Sequence, residues 1–414
     1  MKSIIIVGDG MSDRPVQSLG LKTPLMVAEK PSINQIAREG QVGLFRSIPP
    51  GQPPESDVAN ISILGYDPRS VQGRAVLEAA SLGIDLDPSD VALRCNLLTI
   101  ESGKIKNHSA GHISTEESRK LIRSLNEGLG DGRSEMPVVF YPGVSYRHVV
   151  VLKNGGASSK LQCTPPHDHV GEKVLDLLPR ATDASAERTR LRLLELYEGS
   201  LRILADHPVN LARRAAGKDV ATAIWPWSPG RRPVLKTLQE QYGVRGAVIS
   251  AVDLIRGLGC YAGMKIIQVP GATGLWDTNY EGKAAACLEA LKDHDFVYVH
   301  VEATDEASHS RDLDLKIRCI EQLDRRLVLP ILSGLEERRI YATIALLSDH
   351  PTLVETGNHV DDPVPIAIWR EGIESDAVQR FDEHEAARGS LGMMQRDELI
   401  RRVLNFRTDG KSTY

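Results

Sequence analysis

The chain of 414 residues is 41% hydrophobic and 25% charged, and its 50 basic and 55 acidic residues give a net charge of −5. This composition is typical of a globular enzyme. No basic stripe is visible, which argues against a nucleic-acid partner. The length exceeds what one hydrophobic core comfortably supports, so we expect two domains.

The amino terminus and the cysteines bear on the location of the protein. The apolar run at residues 4–7 is too short for a signal sequence or a membrane span. The five cysteines include no C-x-x-C pair, so neither a disulfide framework nor a zinc knuckle is indicated. We therefore expect a cytoplasmic protein without a membrane partner, and the sequence leaves its oligomeric state open.

Short β-branched runs separated by helical patterns organise most of the chain. The predicted strands are residues 3–7, 295–301, 340–347 and 365–369, and the clearest helical patterns are residues 280–292 and 313–332. Alternation of strands and helices predicts an α/β fold with a mostly parallel sheet flanked by helices. In such sheets ligands bind beyond the carboxyl ends of the strands.

The middle of the chain has a different pattern. Strand-like runs at residues 92–100, 138–141 and 146–152 surround one helix, residues 115–125, which opens with a capping signal at Ser114. We therefore expect a smaller α+β domain, residues 87–181, inserted into a discontinuous catalytic domain formed by residues 1–86 and 182–414.

Acidic and histidine residues follow the predicted strands. They are Asp9, Asp305, His309, Asp349, His350 and His359. The i, i+4 spacing of Asp305 and His309 would place both on one face of a helix. Three carboxylates and three imidazoles suit Mn²⁺, Zn²⁺ or Mg²⁺, and they are enough for two ions. Taken singly, each could instead be a structural residue with a satisfied hydrogen bond.

Ser56 follows a Pro- and Gly-rich segment, residues 49–54, and precedes an apolar helical pattern. An ordinary N-cap serine is one interpretation. The other is a nucleophile at a helix N-terminus, where free N–H groups and the helix dipole favour a phosphate. Serine needs a base or a metal for activation, and two metal ions can provide it. The metal-ligand pattern favours the nucleophile.

Five motifs occur in the order IIIVGDGMSDRP, ESDVANISILGYDP, VYVHVEATDEASH, SDHPT and GNHVDDPVPIAI. Nearly end to end, the chain resembles the archaeal-type cofactor-independent phosphoglycerate mutases of the alkaline phosphatase superfamily. The resemblance implies an alkaline-phosphatase-like fold and interconversion of 2- and 3-phosphoglycerate through a phosphoserine at Ser56. It also implies that no bisphosphoglycerate cofactor is needed.

The resemblance further implies which residues bind metal. One ion would be held by Asp9, Ser56, Asp349 and His350, and the other by Asp305, His309 and His359. Manganese is the expected metal, with zinc or magnesium as alternatives. The inserted domain would close over the small phosphorylated substrate and supply basic contacts.

One segment departs from the family pattern. The expected stretch of the type D-R-x-A-G-R is replaced by residues 107–112, Asn-His-Ser-Ala-Gly-His. Imidazoles lack the bidentate anion recognition of arginine. The predicted substrate contacts are Arg94, His108, His112, Arg231 and Lys283. The alternatives are a homoserine-kinase-like phosphotransferase using the same site, a phosphomonoesterase, or a non-catalytic member of the superfamily.

Overall fold

The computed structural model describes residues 2–130 and 135–404. The strands are β1 (Lys2–Gly8), β2 (Gln41–Arg46), β3 (Val91–Glu101), β4 (Lys104–Asn107), β5 (Val138–Val144), β6 (Arg147–Leu152), β7 (Leu161–Gln162), β8 (Arg180–Ala181), β9 (Ala223–Gly230), β10 (Gly246–Ile249), β11 (Lys265–Ile267), β12 (Phe296–Val301), β13 (Ala342–Ser348), β14 (Thr352–Leu353), β15 (Asn358–His359), β16 (Val364–Trp369) and β17 (Gly392–Gln395).

The helices alternate with these strands over much of the chain. They are α1 (Pro24–Val27), α2 (Pro31–Glu39), α3 (Ser56–Ile63), α4 (Arg74–Ser81), α5 (Thr115–Leu129), α6 (Val174–Leu177), α7 (Glu187–Ala205), α8 (Pro208–Ala215), α9 (Leu238–Tyr242), α10 (Asp253–Tyr261), α11 (Tyr280–Ala290), α12 (Ala303–His309), α13 (Leu313–Leu323), α14 (Leu329–Arg338), α15 (Glu383–Ala386) and α16 (Glu398–Val403).

The chain folds into two compact units. The first consists of Met1–Ser70 and Leu235–Tyr414, and the second is Val71–Val234. The second unit is wider than the predicted insertion, residues 87–181. The difference arises because β9 pairs with β3 and because Leu193, Leu196 and Leu204 of α7 belong to the hydrophobic core of the second unit. These are long-range contacts that a local sequence pattern does not reveal.

The first unit is built on an eight-stranded sheet in the order β11-β10-β12-β1-β13-β16-β2-β17. Neighbouring strands are parallel from β11 to β13, and β16 is antiparallel to both β13 and β2. The predicted α/β class with a mostly parallel sheet is confirmed. β1 is apolar throughout residues 4–7 because it lies in the middle of the sheet, and these side chains are fully buried.

Helices of the first unit pack on this sheet through apolar side chains. Tyr280 and Cys287 of α11 and Ile320 of α13 contribute to the same core as Ile4 and Ile6 of β1. The predicted helix over residues 313–332 is interrupted by a π-helical segment, Asp324–Val328, directly before α14. Pro330 follows in the same continuous helical run and has no N–H, so the regular i→i−4 hydrogen-bond pattern cannot pass through it.

The second unit contains a five-stranded antiparallel sheet. Its strands follow the order β4-β3-β6-β5, and β9 pairs with β3. The predicted helix is α5, where Ser114 and Glu117 form the expected capping box. Among the described residues, no helix is long and apolar enough to cross a membrane. None of the five cysteines forms a disulfide, and Cys260 is exposed.

A buried histidine makes the second unit sensitive to acid. Burial lowers the pKa of His148 to about 3, and its Nδ1 accepts a hydrogen bond of 3.0 Å from the Gly143 N–H. In the unfolded chain its pKa is about 6.5. The contribution of neutral His148 to stability is therefore complete above pH 6.5 and is lost as the pH falls towards 3.

We expect the free energy of unfolding to fall by up to ~1.4 kcal/mol per pH unit below pH 6.5 because of His148 alone. Thermal melts between pH 7 and pH 4.5 measure this slope. His148→Gln keeps a hydrogen-bond acceptor but cannot be protonated, so its slope should be shallower. His169→Gln, at a half-buried histidine of the same unit, is the matched control and should keep the wild-type slope. Equal slopes in all three proteins would contradict the prediction.

Candidate functional site

Three neighbouring strands of the first unit end at the same level. Gly8 at the end of β1 is in register with Val301 of β12 and with Ser348 of β13. The residues that follow, Asp9 and Asp349, are therefore placed side by side at the carboxyl edge of the sheet. This is the edge at which parallel α/β sheets bind ligands.

Gly10 allows the chain to turn closely around this edge. Its φ is +59°, and a Cβ atom would lie 2.5 Å from Thr352 Oγ1 and 2.6 Å from Asp305 Oδ1. Only glycine fits both the left-handed conformation and the space. The Gly10 N–H donates to Asp349 Oδ1 at 3.0 Å, so the turn also orients that carboxylate.

Asp305, His309 and His359 form the first of two groups. Asp305 and His309 lie on α12, where the i, i+4 spacing brings His309 Nε2 to 3.1 Å from Asp305 Oδ2. His359 Nε2 lies 3.2 Å from Asp305 Oδ1 and 3.0 Å from His309 Nε2. Burial alone would raise the pKa of Asp305, but hydrogen bonds from the two imidazoles hold it well below its usual range.

The protonation of these two imidazoles follows from their partners. His309 Nδ1 donates to the Gly357 carbonyl oxygen at 2.8 Å, and His359 Nδ1 donates to the Pro54 carbonyl oxygen at 2.9 Å. A carbonyl oxygen only accepts, so each Nδ1 carries a hydrogen. Without a metal ion each Nε2 can also carry a proton and donate to Asp305, and this hydrogen bond raises the pKa of His309 to about 9. A bound cation would replace these protons, and both Nε2 lone pairs would then be directed at it.

Asp9, Asp349, His350 and Ser56 form the second group. His350 Nε2 is 3.4 Å from Asp9 Oδ1, 3.6 Å from Asp349 Oδ2 and 3.0 Å from Ser56 Oγ. Ser56 is the first residue of α3 and Glu55 is the cap, so the N-cap interpretation of Ser56 is wrong. The hydroxyl is half-buried, and it faces the carboxylates and imidazoles.

Thr352 connects the two groups. Its hydroxyl donates to Asp305 Oδ1 at 2.6 Å and lies 3.2 Å from His350 Nδ1. Since the hydroxyl hydrogen is used on Asp305, His350 Nδ1 is the donor of the second bond. His350 Nε2 therefore also presents a lone pair, directed at Ser56 and Asp9.

The charges at this edge fit divalent cations. Asp9, Asp349 and Asp305 are all buried, and burial followed by repulsion from the other two raises the pKa of Asp9 well above its usual range. Asp9 Oδ1 is buried and has no hydrogen-bond partner. Buried, closely spaced carboxylates with an orphaned oxygen are typical of a metal site. The residues group as Asp305–His309–His359, Asp9–Asp305–His350 and Asp9–His300–Asp349.

His300 was not among the predicted site residues. It is fully buried in β12, its Nε2 lies 3.0 Å from Asp9 Oδ2, and its Nδ1 lies 3.4 Å from Ser250 Oγ. Burial lowers its pKa to about 4, so it is neutral. A histidine inside an otherwise apolar strand run, as the penultimate residue of that strand, was the signal that could have indicated it.

Lys283, a predicted substrate contact, also lies in the first unit. It is 1% exposed, and its Nζ donates to the His300 carbonyl oxygen at 2.9 Å. Burial lowers its pKa to about 8. Glu302 is half-buried nearby, and desolvation together with repulsion from Asp305 and Glu306 raises its pKa to about 8.

The other four predicted substrate contacts lie in the second unit, and two of them have structural partners. Arg94 pairs with Glu78 at 3.0 Å, and its guanidinium carbon lies 4.2 Å above the Trp227 ring. Arg231 donates to the backbone carbonyl oxygens of Ser89, at 2.9 Å, and Ala157. Both guanidiniums are therefore engaged within the unit.

His108 and His112 lie on the loop that departs from the family pattern. The His108 ring centre is 5.6 Å from that of Tyr146 and 6.3 Å from that of His167. Burial and the neighbouring imidazoles lower the pKa of His108. His112 is exposed and has a φ of +48°.

The loop is held in a strained conformation. Ala110, Gly111 and His112 all have positive φ values, which is costly for residues other than glycine. The buried Arg213 donates to the carbonyl oxygens of Ala110, at 2.8 Å, and Gly111, at 3.2 Å, and pairs with Glu117 at 2.9 Å. These contacts keep the loop, and with it both histidines, in a defined position within the second unit.

Known proteins resemble this chain over almost its entire length. A family model for 2,3-bisphosphoglycerate-independent phosphoglycerate mutase matches residues 37–210. A protein of that name from Methanosarcina acetivorans is 49% identical over 402 residues, covering 97% of this chain and 98% of the relative. A probable enzyme of the same name from Geobacter sulfurreducens is 45% identical, covering 94% of this chain and 96% of the relative.

Two solved structures are similar over almost their entire length. A protein from Pyrococcus horikoshii has a TM-score of 0.82 at 30% identity, covering 99% of both chains. A cofactor-independent phosphoglycerate mutase from Thermoplasma acidophilum has a TM-score of 0.70 at 30% identity, covering 98% of this chain and 99% of the other.

Proposed function

The chain belongs to the family of 2,3-bisphosphoglycerate-independent phosphoglycerate mutases, and we propose that it interconverts 2- and 3-phosphoglycerate through a phosphoserine at Ser56. The observation that carries the proposal is the position of the Ser56 hydroxyl. It lies at the start of α3, 3.0 Å from His350 Nε2, beside a set of buried carboxylates. A plain binding protein has no need for this arrangement.

Ser56 is the nucleophile in this proposal. Its Oγ attacks the phosphorus of the substrate, the bond from phosphorus to the glycerate oxygen breaks, and the glycerate oxygen leaves with the electron pair. The serine proton passes to that oxygen. The second hydroxyl of the glycerate then attacks the phosphoserine, and the serine oxygen recovers a proton. No external phosphoryl donor is consumed, so no bisphosphoglycerate cofactor is required.

The N-terminus of α3 supports this step. The first turn of a helix presents backbone N–H groups without intrahelical partners, which favour a phosphate group. Ser56 is the first helical residue, so a phosphoryl group on its Oγ would lie against these donors. The carboxylate of Asp57 in the same turn opposes an anion, as do Asp9 and Asp349 unless cations are bound beside them.

Two divalent metal ions fit the site, and we assign their ligands as the family resemblance implies. Asp9, Ser56, Asp349 and His350 would hold one ion. The second ion would be held by Asp305, His309 and His359. When bound, the ions would neutralise the attacking and leaving oxygens. We propose Mn²⁺, because mixed carboxylate and imidazole ligands suit it.

We assign recognition of the substrate's carboxylate to the second unit. His108 and the exposed His112 are the anion-binding candidates there, because Arg94 and Arg231 are engaged by Glu78 and by backbone carbonyls. Exclusion of water from the reacting phosphoryl group would separate mutase from phosphatase activity. We place the protein in the cytoplasm, where both phosphoglycerates occur.

An assay of the purified protein with 3-phosphoglycerate and Mn²⁺ tests the proposal. We expect 2-phosphoglycerate to form without added bisphosphoglycerate, activity to disappear with a chelator, and Mn²⁺ to restore it. Phosphorus NMR of the products distinguishes transfer from hydrolysis. Release of inorganic phosphate alone, or turnover only of homoserine with a phosphoryl donor, would contradict the mutase assignment.

A further inference from the structure

Asn60 lies one helical turn after Ser56 and is fully buried. Its Nδ2 donates to the Ser56 carbonyl oxygen at 2.8 Å and to Asp349 Oδ2 at 2.9 Å. The hydroxyl of Tyr298 donates to Asn60 Oδ1. One amide therefore joins the backbone of the nucleophile to a carboxylate on a different element of the sheet edge.

The partners of Asn60 allow only one orientation of its amide. A carbonyl oxygen and a carboxylate only accept hydrogen bonds, so both must face the NH₂ group. A flipped amide would place its oxygen against the Asp349 carboxylate and leave the Tyr298 hydroxyl facing a donor. Three of the four hydrogen-bonding capacities of the amide are used in the observed orientation.

Tyr298 keeps this orientation in place. It is fully buried in β12, and burial together with the charges of Asp349 and Asp9 raises the pKa of its hydroxyl well above its usual range. The hydroxyl therefore stays protonated and continues to donate to Asn60. Among the described residues, the Tyr298 hydroxyl bonds to Asn60 and to no metal-binding side chain. Any effect of Tyr298 on the site would therefore pass through Asn60.

The position of Ser56 at the start of the helix explains why its backbone needs the hydrogen bond from Asn60. As the first residue of α3, it has no N–H bond to an earlier helical turn. The preceding residues, 49–54, are rich in proline and glycine. A nucleophile displaced by about 1 Å loses much of its rate advantage, on the order of 10²-fold.

We propose that Asn60 is a positioning residue that fixes the Ser56 backbone relative to the Asp349 carboxylate, and that Tyr298 orients Asn60 for this task. The inference rests on the proposed function, since it takes Ser56 as the nucleophile and Asp349 as a metal ligand. It makes Asn60 a link between two parts of the site that are 289 residues apart in the chain.

Asn60→Ala, Tyr298→Phe and the double variant test the inference, with wild type and Ser62→Ala for comparison. Ser62 is buried in the same helix and donates to the Val58 carbonyl oxygen, so its variant removes a bond of similar kind away from the site. The measurements are kcat and KM for 3-phosphoglycerate, and Mn²⁺ affinity by equilibrium dialysis.

For Asn60→Ala we expect kcat to fall about 10- to 100-fold and the affinity for one Mn²⁺ to fall about 10-fold, as for other residues that orient metal ligands. KM should change far less than kcat. Tyr298→Phe should show the same effects at smaller size. The double variant should match Asn60→Ala, because residues acting through one contact are not additive. Ser62→Ala should keep the wild-type kcat and Mn²⁺ affinity.

Unchanged kcat and Mn²⁺ affinity in Asn60→Ala would overturn the inference, and additive effects in the double variant would overturn the role of Tyr298. If Asn60→Ala does not fold, Tyr298→Phe, which lacks a single oxygen, decides by the same measurements. A wild-type protein inactive on 3-phosphoglycerate would refute the proposed function. The dialysis measurement would still decide whether Asn60 orients Asp349.

Discussion

Replacing Ser56 by alanine is expected to abolish interconversion of the phosphoglycerates, with kcat reduced by at least ~10⁴-fold, as is typical when a covalent nucleophile is removed. The reason is that no other described hydroxyl has the position of Ser56 Oγ, 3.0 Å from His350 Nε2 at the start of a helix. Since Ser56 is half-buried and its side chain is not a helix cap, folding should be little affected.

Two measurements check this prediction. Steady-state turnover of 3-phosphoglycerate gives the loss of activity, and mass spectrometry of protein quenched during turnover detects the phosphoryl group on the Ser56 peptide. Wild type should carry the modification and Ser56→Ala should not. Ser62→Ala, in the same helix, is the matched control and should keep both activity and modification. Substantial mutase activity in Ser56→Ala would refute the phosphoserine mechanism.

Asp305→Ala is expected to remove one of the two metal ions and to lower kcat by at least ~10²-fold, more than is usual for a residue outside the ligand set. Asp305 is the centre of its group, because His309 and His359 each lie within 3.2 Å of its carboxylate. Without Asp305, the Nε2 atoms of His309 and His359, which lie 3.0 Å apart, have no carboxylate beside them to help hold a cation.

Metal content measured after equilibration with Mn²⁺ should fall from two ions per chain to one, in parallel with activity. Asp293→Asn, at an exposed carboxylate just before β12, removes a similar charge away from the site and should leave both unchanged. Excess Mn²⁺ should not restore Asp305→Ala. Two bound ions and near-wild-type kcat in this variant would show that the Asp305 group is not a catalytic metal site.

Some features could be predicted from local sequence. The strands β1, β12 and β13 appear as short β-branched runs because buried parallel strands are apolar on both faces. Most of the seven predicted metal and nucleophile residues lie just after such strands or in the helix that follows, and the structure places all seven side chains close together. The proximity of Asp305 and His309 depends only on their i, i+4 spacing in a helix. It is confirmed because both residues lie on α12.

Other features were decided by tertiary contacts. His300 and Asn60 lie within apolar stretches, where a sequence pattern predicts core residues, and only the tertiary structure shows that they lie beside Asp9 and Asp349, respectively. Arg94 appeared suitable for an anion until its salt bridge with Glu78 and its packing on Trp227 were visible.

The second unit likewise has one feature that the local sequence predicts and one that depends on long-range contacts. The change from alternating helices and strands to clustered strands is a local property, and it indicated a separate lobe in the middle of the chain. The limits at Val71 and Val234 depend on β9 pairing with β3, more than 120 residues earlier in the chain. The sequence by itself thus determined which candidate ligands and nucleophile lie near the sheet edge, because motif residues and strand ends are local. Only the tertiary structure decided which side chains support that chemistry, because their partners are distant in sequence.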